Sequence, residues 1–170
     1  PQALGYLDGL INGVNGVLTR SALRKFQRDM AFDETDDLDA RQIVYLIGNG
    51  AETARDPKTQ TVLALMYAGG MGLPKRSDFT LAWLRAASTR VYGDATYYLA
   101  VLHGTGYCDF PKREHLANQY LREASFQKHA LATDLLRLYG KDWDKIAGDA
   151  RVKKSLDVIG DCKPAPAPRS

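Results

Sequence analysis

A chain of 170 residues with 45% apolar and 25% charged side chains has room for one domain or two small ones, and the balance of a globular protein with its own core. A net charge of +3 is too little to argue for nucleic acid. No run approaches roughly 18 uninterrupted apolar residues, so no segment reads as a membrane span. Residues 1–50 carry five basic and seven acidic side chains and residues 51–170 carry eighteen and thirteen, an imbalance that could favour an acidic partner and that a solvated helix surface explains equally well.

In chain order, residues 1–47 predict turn, helix, turn, helix. Gly5, Gly9, Gly13 and Gly16 punctuate the start. Ile11-Asn12-Gly13-Val14-Asn15-Gly16 reads as a tight double turn, because Gly and Asn tolerate positive φ. A helix follows over 19–29, with Ala22, Leu23 and Phe26 at core-facing spacing. Residues 33–37 form a polar turn. Asp39 is the expected N-cap of a second short helix carrying Ile43, Val44, Leu46 and Ile47. Gly48-Asn49-Gly50 stops that helix and marks a domain boundary.

Beyond it the chain becomes self-similar. Leu63, Leu99 and Leu135 lie 36 apart, as do Met66, Leu102 and Leu138, and Tyr67, His103 and Tyr139. Trp83-Leu84-Arg85 returns as Tyr120-Leu121-Arg122 after 37 residues, and Ala87 as Ala124. A fixed period in this range marks stacked helix–turn–helix units, since one helical hairpin cannot bury its apolar face alone. The expected helices are 58–68 with 78–90, 94–104 with 113–127, and 129–139. Residues 142–159, with Trp143, Ile146, Val152, Leu156 and Ile159, suit one or two capping helices. Residues 163–170 are Pro-rich and read as an extended, disordered tail. The expectation is thus all-α: a small helical module at 1–50, then at 51–162 a short α-solenoid of about two and a half repeats with C-terminal capping helices.

Catalytic chemistry finds little support. His103, His115 and His129 show no H-E-x-x-H spacing, and neither Cys108 nor Cys162 sits in a C-x-x-C pair, so no metal site is expected. There is no G-x-S-x-G elbow, no Cys–His signature and no phosphate loop, and no cofactor is implied. The acidic run from Asp33 to Asp39 lacks calcium-loop spacing and reads as a solvated turn plus a cap. Cys108 falls in the long turn of the second repeat and Cys162 after the last helix. Either they pair, pinning the C-terminal cap to the array as an oxidising compartment permits, or both are free thiols.

Two resemblances follow from these residues. Leu4-Gly5-Tyr6, Asp8-Gly9, Asn12-Gly13, Gly16, Thr19, Ala22, Phe26-Gln27 and Leu38-Asp39, in that order, resemble the three-helix peptidoglycan-binding module of bacterial wall hydrolases. Asn12 stands where that family usually has Asp, Ala31 where it has Gly, and Asp36-Asp37 where Gly is common; its first helix is nearly absent. The resemblance implies peptidoglycan as a partner. Its amides, hydroxyls and carboxylates call for polar turns, an aromatic platform and a cation, which Tyr6, Asn12, Asn15, Thr19, Arg20 and Arg24 supply.

Residues 58–140 resemble Sel-one-like repeats, a tetratricopeptide-type solenoid, through Leu63-Ala64, Met66-Tyr67, Gly70, Gly72, Ala82-Trp83 and Ala86-Ala87, and then Ala95, Leu99-Ala100, Leu102, Gly104, Gly106, Tyr120 and Ala124. The second repeat carries one extra residue near Tyr107–Phe110. Such arrays serve as protein-interaction scaffolds and in bacteria are often periplasmic. Trp83 and Tyr120 then take repeat-core positions, and His103, at the Tyr67 position, is expected to pack or cap a turn. A partner surface would lie on the concave face, where Tyr67, Tyr97, Tyr98 and His103 are the first-helix candidates. The expectation is a non-catalytic bacterial envelope scaffold, periplasmic or otherwise exported, that contacts peptidoglycan and one or more envelope proteins. The alternatives are a pure protein–protein adaptor with a degenerate first module, or the accessory region of a wall hydrolase whose catalytic domain lies elsewhere.

Overall fold

The computed structural model describes residues 17–35, 39–49, 51–52, 55–71 and 73–160, with backbone only at 17–22 and 40. The described residues form nine α-helices and no strand. They are α1 (Val17–Asp29), α2 (Ala40–Asn49), α3 (Pro57–Gly69), α4 (Ser77–Ser88), α5 (Gly93–Thr105), α6 (Glu114–Phe126), α7 (Ala130–Tyr139), α8 (Trp143–Gly148) and α9 (Ala150–Asp157). The expected Pro-rich tail lies outside the described residues.

Helices α1 and α2 share a small core of Leu23, Phe26 and Leu46, with Phe32 and Ile47 against it. Asp39 caps α2 as expected: its Oδ1 accepts the Gln42 N–H at 2.8 Å, while Gln42 Oε1 accepts the Asp39 N–H at 3.3 Å. This reciprocal pair is a capping box, and it satisfies two amides at the helix start. Ile43 is exposed instead of core-facing.

The repeat register survives in three dimensions. Leu63, Leu99 and Leu135 are buried, as are Leu84 with Leu121 and Ala87 with Ala124. Those from Leu84 onward join one core that runs from α3 to the C-terminal helices. Gly70 and Gly106 end α3 and α5 in the left-handed region (φ 68° and 66°), and their N–H groups reach the Met66 and Leu102 carbonyls. Each repeat then closes with the same bond: Arg76 N–H to Tyr67 O (3.0 Å), and Arg113 N–H to His103 O (2.8 Å). The second closure spans one residue more. That residue is absorbed by a 3₁₀ turn at Tyr107–Asp109, where Cys108 and Asp109 take φ of 54° and 64°.

Adjacent repeats are joined by hydroxyl pairs that also recur 37 residues apart: Ser88 Oγ with Thr96 Oγ1 at 2.7 Å, and Ser125 Oγ with Thr133 Oγ1 at 2.8 Å.

Three expectations change. Leu138 is 50% exposed although its register partners Met66 and Leu102 are buried, because α7 ends at Tyr139 and no full second helix follows to cover it. Trp83 and Tyr120 are half-buried at the edge of the core, not inside it. The buried indole is Trp143 of α8, which docks back onto the second repeat. Its Nε1–H donates to Asn118 Oδ1 at 2.9 Å, and its ring lies over Gly104 so closely that any Cβ there would overlap it.

Candidate functional site

Two surfaces gather polar and aromatic side chains. The first is a groove of about 460 Å³ beside α1 and α2, lined by Phe32, Asp33, Thr35, Asp39, Arg41 and Gln42. Its wall is fixed from below by Gln27, which is fully buried. Gln27 Nε2 donates to Thr35 Oγ1 (2.9 Å) and to Gln42 Oε1 (3.1 Å), and its Oε1 accepts the Thr35 N–H (2.9 Å). One amide therefore ties the loop after α1 to the start of α2. This is the physical role of the Phe-Gln pair, with Phe26 in the core and Gln27 as the clamp. Arg28 grips Glu34 through two bonds (2.9 and 3.1 Å), which holds the Glu34 carboxyl below its usual range. Ala31, where the resembling family has Gly, sits at φ 56°, so the glycine conformation is kept without the glycine.

Of the expected wall contacts, Arg24 is exposed on α1, and Thr19 and Arg20 are described only as backbone in its first turns. Tyr6, Asn12 and Asn15 lie outside the described residues. Arg41, Gln42 and Thr35 were not expected at a site. The spacing of Asp39 and Gln42 is a capping-box signal readable in the sequence.

The second surface is the face made by the first helices α3, α5 and α7. Tyr67 is half-buried, edge-on to Phe79 (5.1 Å, 80°). Tyr97 and His103 do not line an open face: they are 2% and 1% exposed. Tyr97 stacks on His129 (4.4 Å, 13°) and donates to Ser155 Oγ at 3.0 Å, while Tyr98, half-buried, donates to the Ser155 carbonyl at 3.4 Å. Burial pushes the Tyr97 phenol up to about 12. His129 Nδ1 caps α7 by accepting the Ala132 N–H (3.1 Å). That assigns the ring proton to Nε2, 3.3 Å from Asp94 Oδ1, and the contact holds the Asp94 carboxyl below its usual range.

His103 stacks on Tyr120 (6.2 Å, 12°) with Nδ1 3.2 Å from the Pro111 carbonyl, and its buried Nε2 has no partner. Burial pushes its pKa below the usual histidine value. His103 is thus a packing and turn-closing residue. Tyr97 is closed off because α9 lies over it.

Among the described residues no group of three or more His, Cys, Asp or Glu is placed to hold a metal ion, and no helix is long and apolar enough to cross a membrane. None of the described residues is a free cysteine, and Cys162 lies outside them.

Stacked helical hairpins with one shared core define the α-solenoid class of repeat protein. Within that class, the fold is similar to the crystal structure of a Sel1 repeat protein from Oxalobacter formigenes, with a TM-score of 0.54 and 21% identity, covering 89% of this chain and 69% of that one. At that identity the likeness is one of fold. No family model matches the chain, and no curated protein sequence does.

Proposed function

We propose that the chain is a non-catalytic scaffold of the bacterial envelope, exported to the periplasm or beyond, which holds peptidoglycan through α1–α2 and an envelope protein through its repeats. The solenoid fold supports the protein-binding half, because stacking repeats produces extended surfaces and not an enclosed pocket. The observation that carries the wall-binding half is the groove held open by Gln27. It presents a cation, carboxylates, a hydroxyl and an aromatic ring together, which suits the amides and carboxylates of a peptidoglycan stem.

Co-sedimentation of the full chain with purified sacculi tests this. The native chain is expected in the pellet, and Arg41→Glu in the supernatant, since Arg41 is 92% exposed and its loss leaves the fold intact. A native chain that stays in solution would leave only a protein–protein adaptor.

The reading includes a Cys108–Cys162 disulfide. It is supported by the Tyr107 hydroxyl, which donates to the Gly160 carbonyl at 2.9 Å and so brings Gly160, two positions before Cys162 in the sequence, beside the neighbour of Cys108. Closing such a loop stabilises by about 4 kcal/mol on the chain-entropy model. Two free thiols in the mass spectrum of the native protein would rule the bond out.

A further inference from the structure

The last helix does not extend the array but lies along it. From residues spaced four apart, the C-terminal segment touches the three first helices in reverse order. Arg151 Nη1 donates to Asp134 of α7 at 3.1 Å. Ser155 Oγ receives the Tyr97 hydroxyl of α5 at 3.0 Å, and its carbonyl receives that of Tyr98 at 3.4 Å. The Ile159 carbonyl lies against Gly69 at the end of α3, where a Cβ would overlap it. The spacing of four places Arg151 and Ser155 on one side of α9, and Ile159 falls in the turn that follows the helix. Val152, Leu156 and Ile159 are buried beside them, while Lys153, Lys154 and Asp157 face solvent.

An eight-residue helix has no stability of its own in water, so α9 is helical because it is docked. Arg151 is shared between Asp134 and Asp149, the N-cap of α9. The surface beneath therefore offers a carboxylate, two phenol donors and a gap at Gly69 that admits bare backbone. That set of groups holds a helix.

We propose that the face of α3, α5 and α7 is a helix-binding groove, that α9 is its resident occupant, and that the protein partner is an amphipathic helix which displaces α9. This rests on the reading of the array as a protein scaffold. The partner carries α9's own pattern: aliphatic side chains at spacings of four and three, as at Val152, Leu156 and Ile159, with a basic residue immediately before the first. Asp134 selects the cation, and the tyrosine hydroxyls select a small polar residue one turn later. Because α9 must leave first, the apparent affinity is reduced by the fraction of molecules with the groove open.

The test uses the full chain both as isolated and reduced, because a Cys108–Cys162 bridge would tether the segment after α9 and the inference requires α9 to open in either state. In native-state hydrogen exchange, α9 amides are expected to exchange at least about tenfold faster than those of α5 and α6. Gly69→Ala, which wedges against the Ile159 carbonyl, accelerates α9 further and leaves α5 and α6 unchanged. A fluorescein-labelled peptide of residues 149–160 binds the Leu156→Asp chain at least about tenfold tighter than the native chain, and the Arg151→Glu peptide loses that binding. Exchange of α9 no faster than that of α5 in both native and Gly69→Ala chains overturns the inference, as does a peptide that binds the Leu156→Asp chain no tighter. Either failure leaves the scaffold reading intact, because a partner can use another face. That reading is tested separately by photocrosslinking from the exposed Phe126 in the producing cell.

Discussion

Trp143→Ala removes the ring that seats the C-terminal helices on the second repeat. The indole is 3% exposed, packs on Gly104 and donates to Asn118 Oδ1 at 2.9 Å. Truncating a buried tryptophan costs about 3–5 kcal/mol, including the cavity left behind. At about 2–4 °C per kcal/mol for a chain of this size, the melting temperature should fall by roughly 6–20 °C. Trp83, which the sequence marks as a repeat-core residue, is half-buried beside Gln60 and Arg90, so Trp83→Ala should cost only about 1–2 kcal/mol. Trp143→Phe keeps a ring over Gly104 and loses the N–H donor, at about 1 kcal/mol. Urea unfolding followed by far-ultraviolet circular dichroism measures all three without depending on tryptophan emission. Trp143→Ala costing no more than Trp83→Ala would refute the assignment of Trp143 as the anchor.

Ala31→Gly should stabilise by about 1 kcal/mol, because φ of 56° strains an alanine and not a glycine; a lower melting temperature would show that the left-handed turn is not formed. Gln27→Leu removes the acceptor of the Thr35 N–H and one of the two donors to Gln42 Oε1, so amides of α1 and α2 should lose protection in hydrogen exchange while α5 and α6 keep theirs. His103 is neutral in the fold, with its pKa below the ordinary 6.5. The unfolded chain therefore takes up a proton first, and this contribution to stability is present above pH 6.5 and is lost as pH falls below it. Urea midpoints should drop from pH 7 to pH 5 in the native chain and drop less in His103→Phe; equal drops would remove His103 as the source.

Much of the array is legible in the sequence because a period of 36 or 37 residues repeats both the buried leucines and the turn that follows them. The extra residue of the second repeat is legible for the same reason, and it lands in the 3₁₀ turn at Tyr107–Asp109. Periodicity fails where a repeat lacks its neighbour. Leu138 has the spacing of a core residue, but no second helix covers it. Tyr97 has the position of an open-face residue, but α9 folds back over it, a tertiary contact that no local pattern encodes. The hydroxyl pairs Ser88–Thr96 and Ser125–Thr133 carry a readable signal, an eight-residue spacing recurring after 37, that is visible once polar as well as apolar residues are compared between repeats. At the first module, the Phe-Gln motif marks the clamp. The groove it supports comes from the Thr35–Gln27–Gln42 contacts, which join residues up to fifteen apart.

The claim that wall recognition resides in α1–α2 and not in the repeats is tested most directly by titrating the isotopically labelled full chain with a soluble peptidoglycan disaccharide–peptide and following its amide resonances. The expected result is saturable shifts at Phe32, Thr35, Arg41 and Gln42, with α3 to α9 unmoved. Shifts centred on α3 to α9, or none at millimolar ligand, would contradict it.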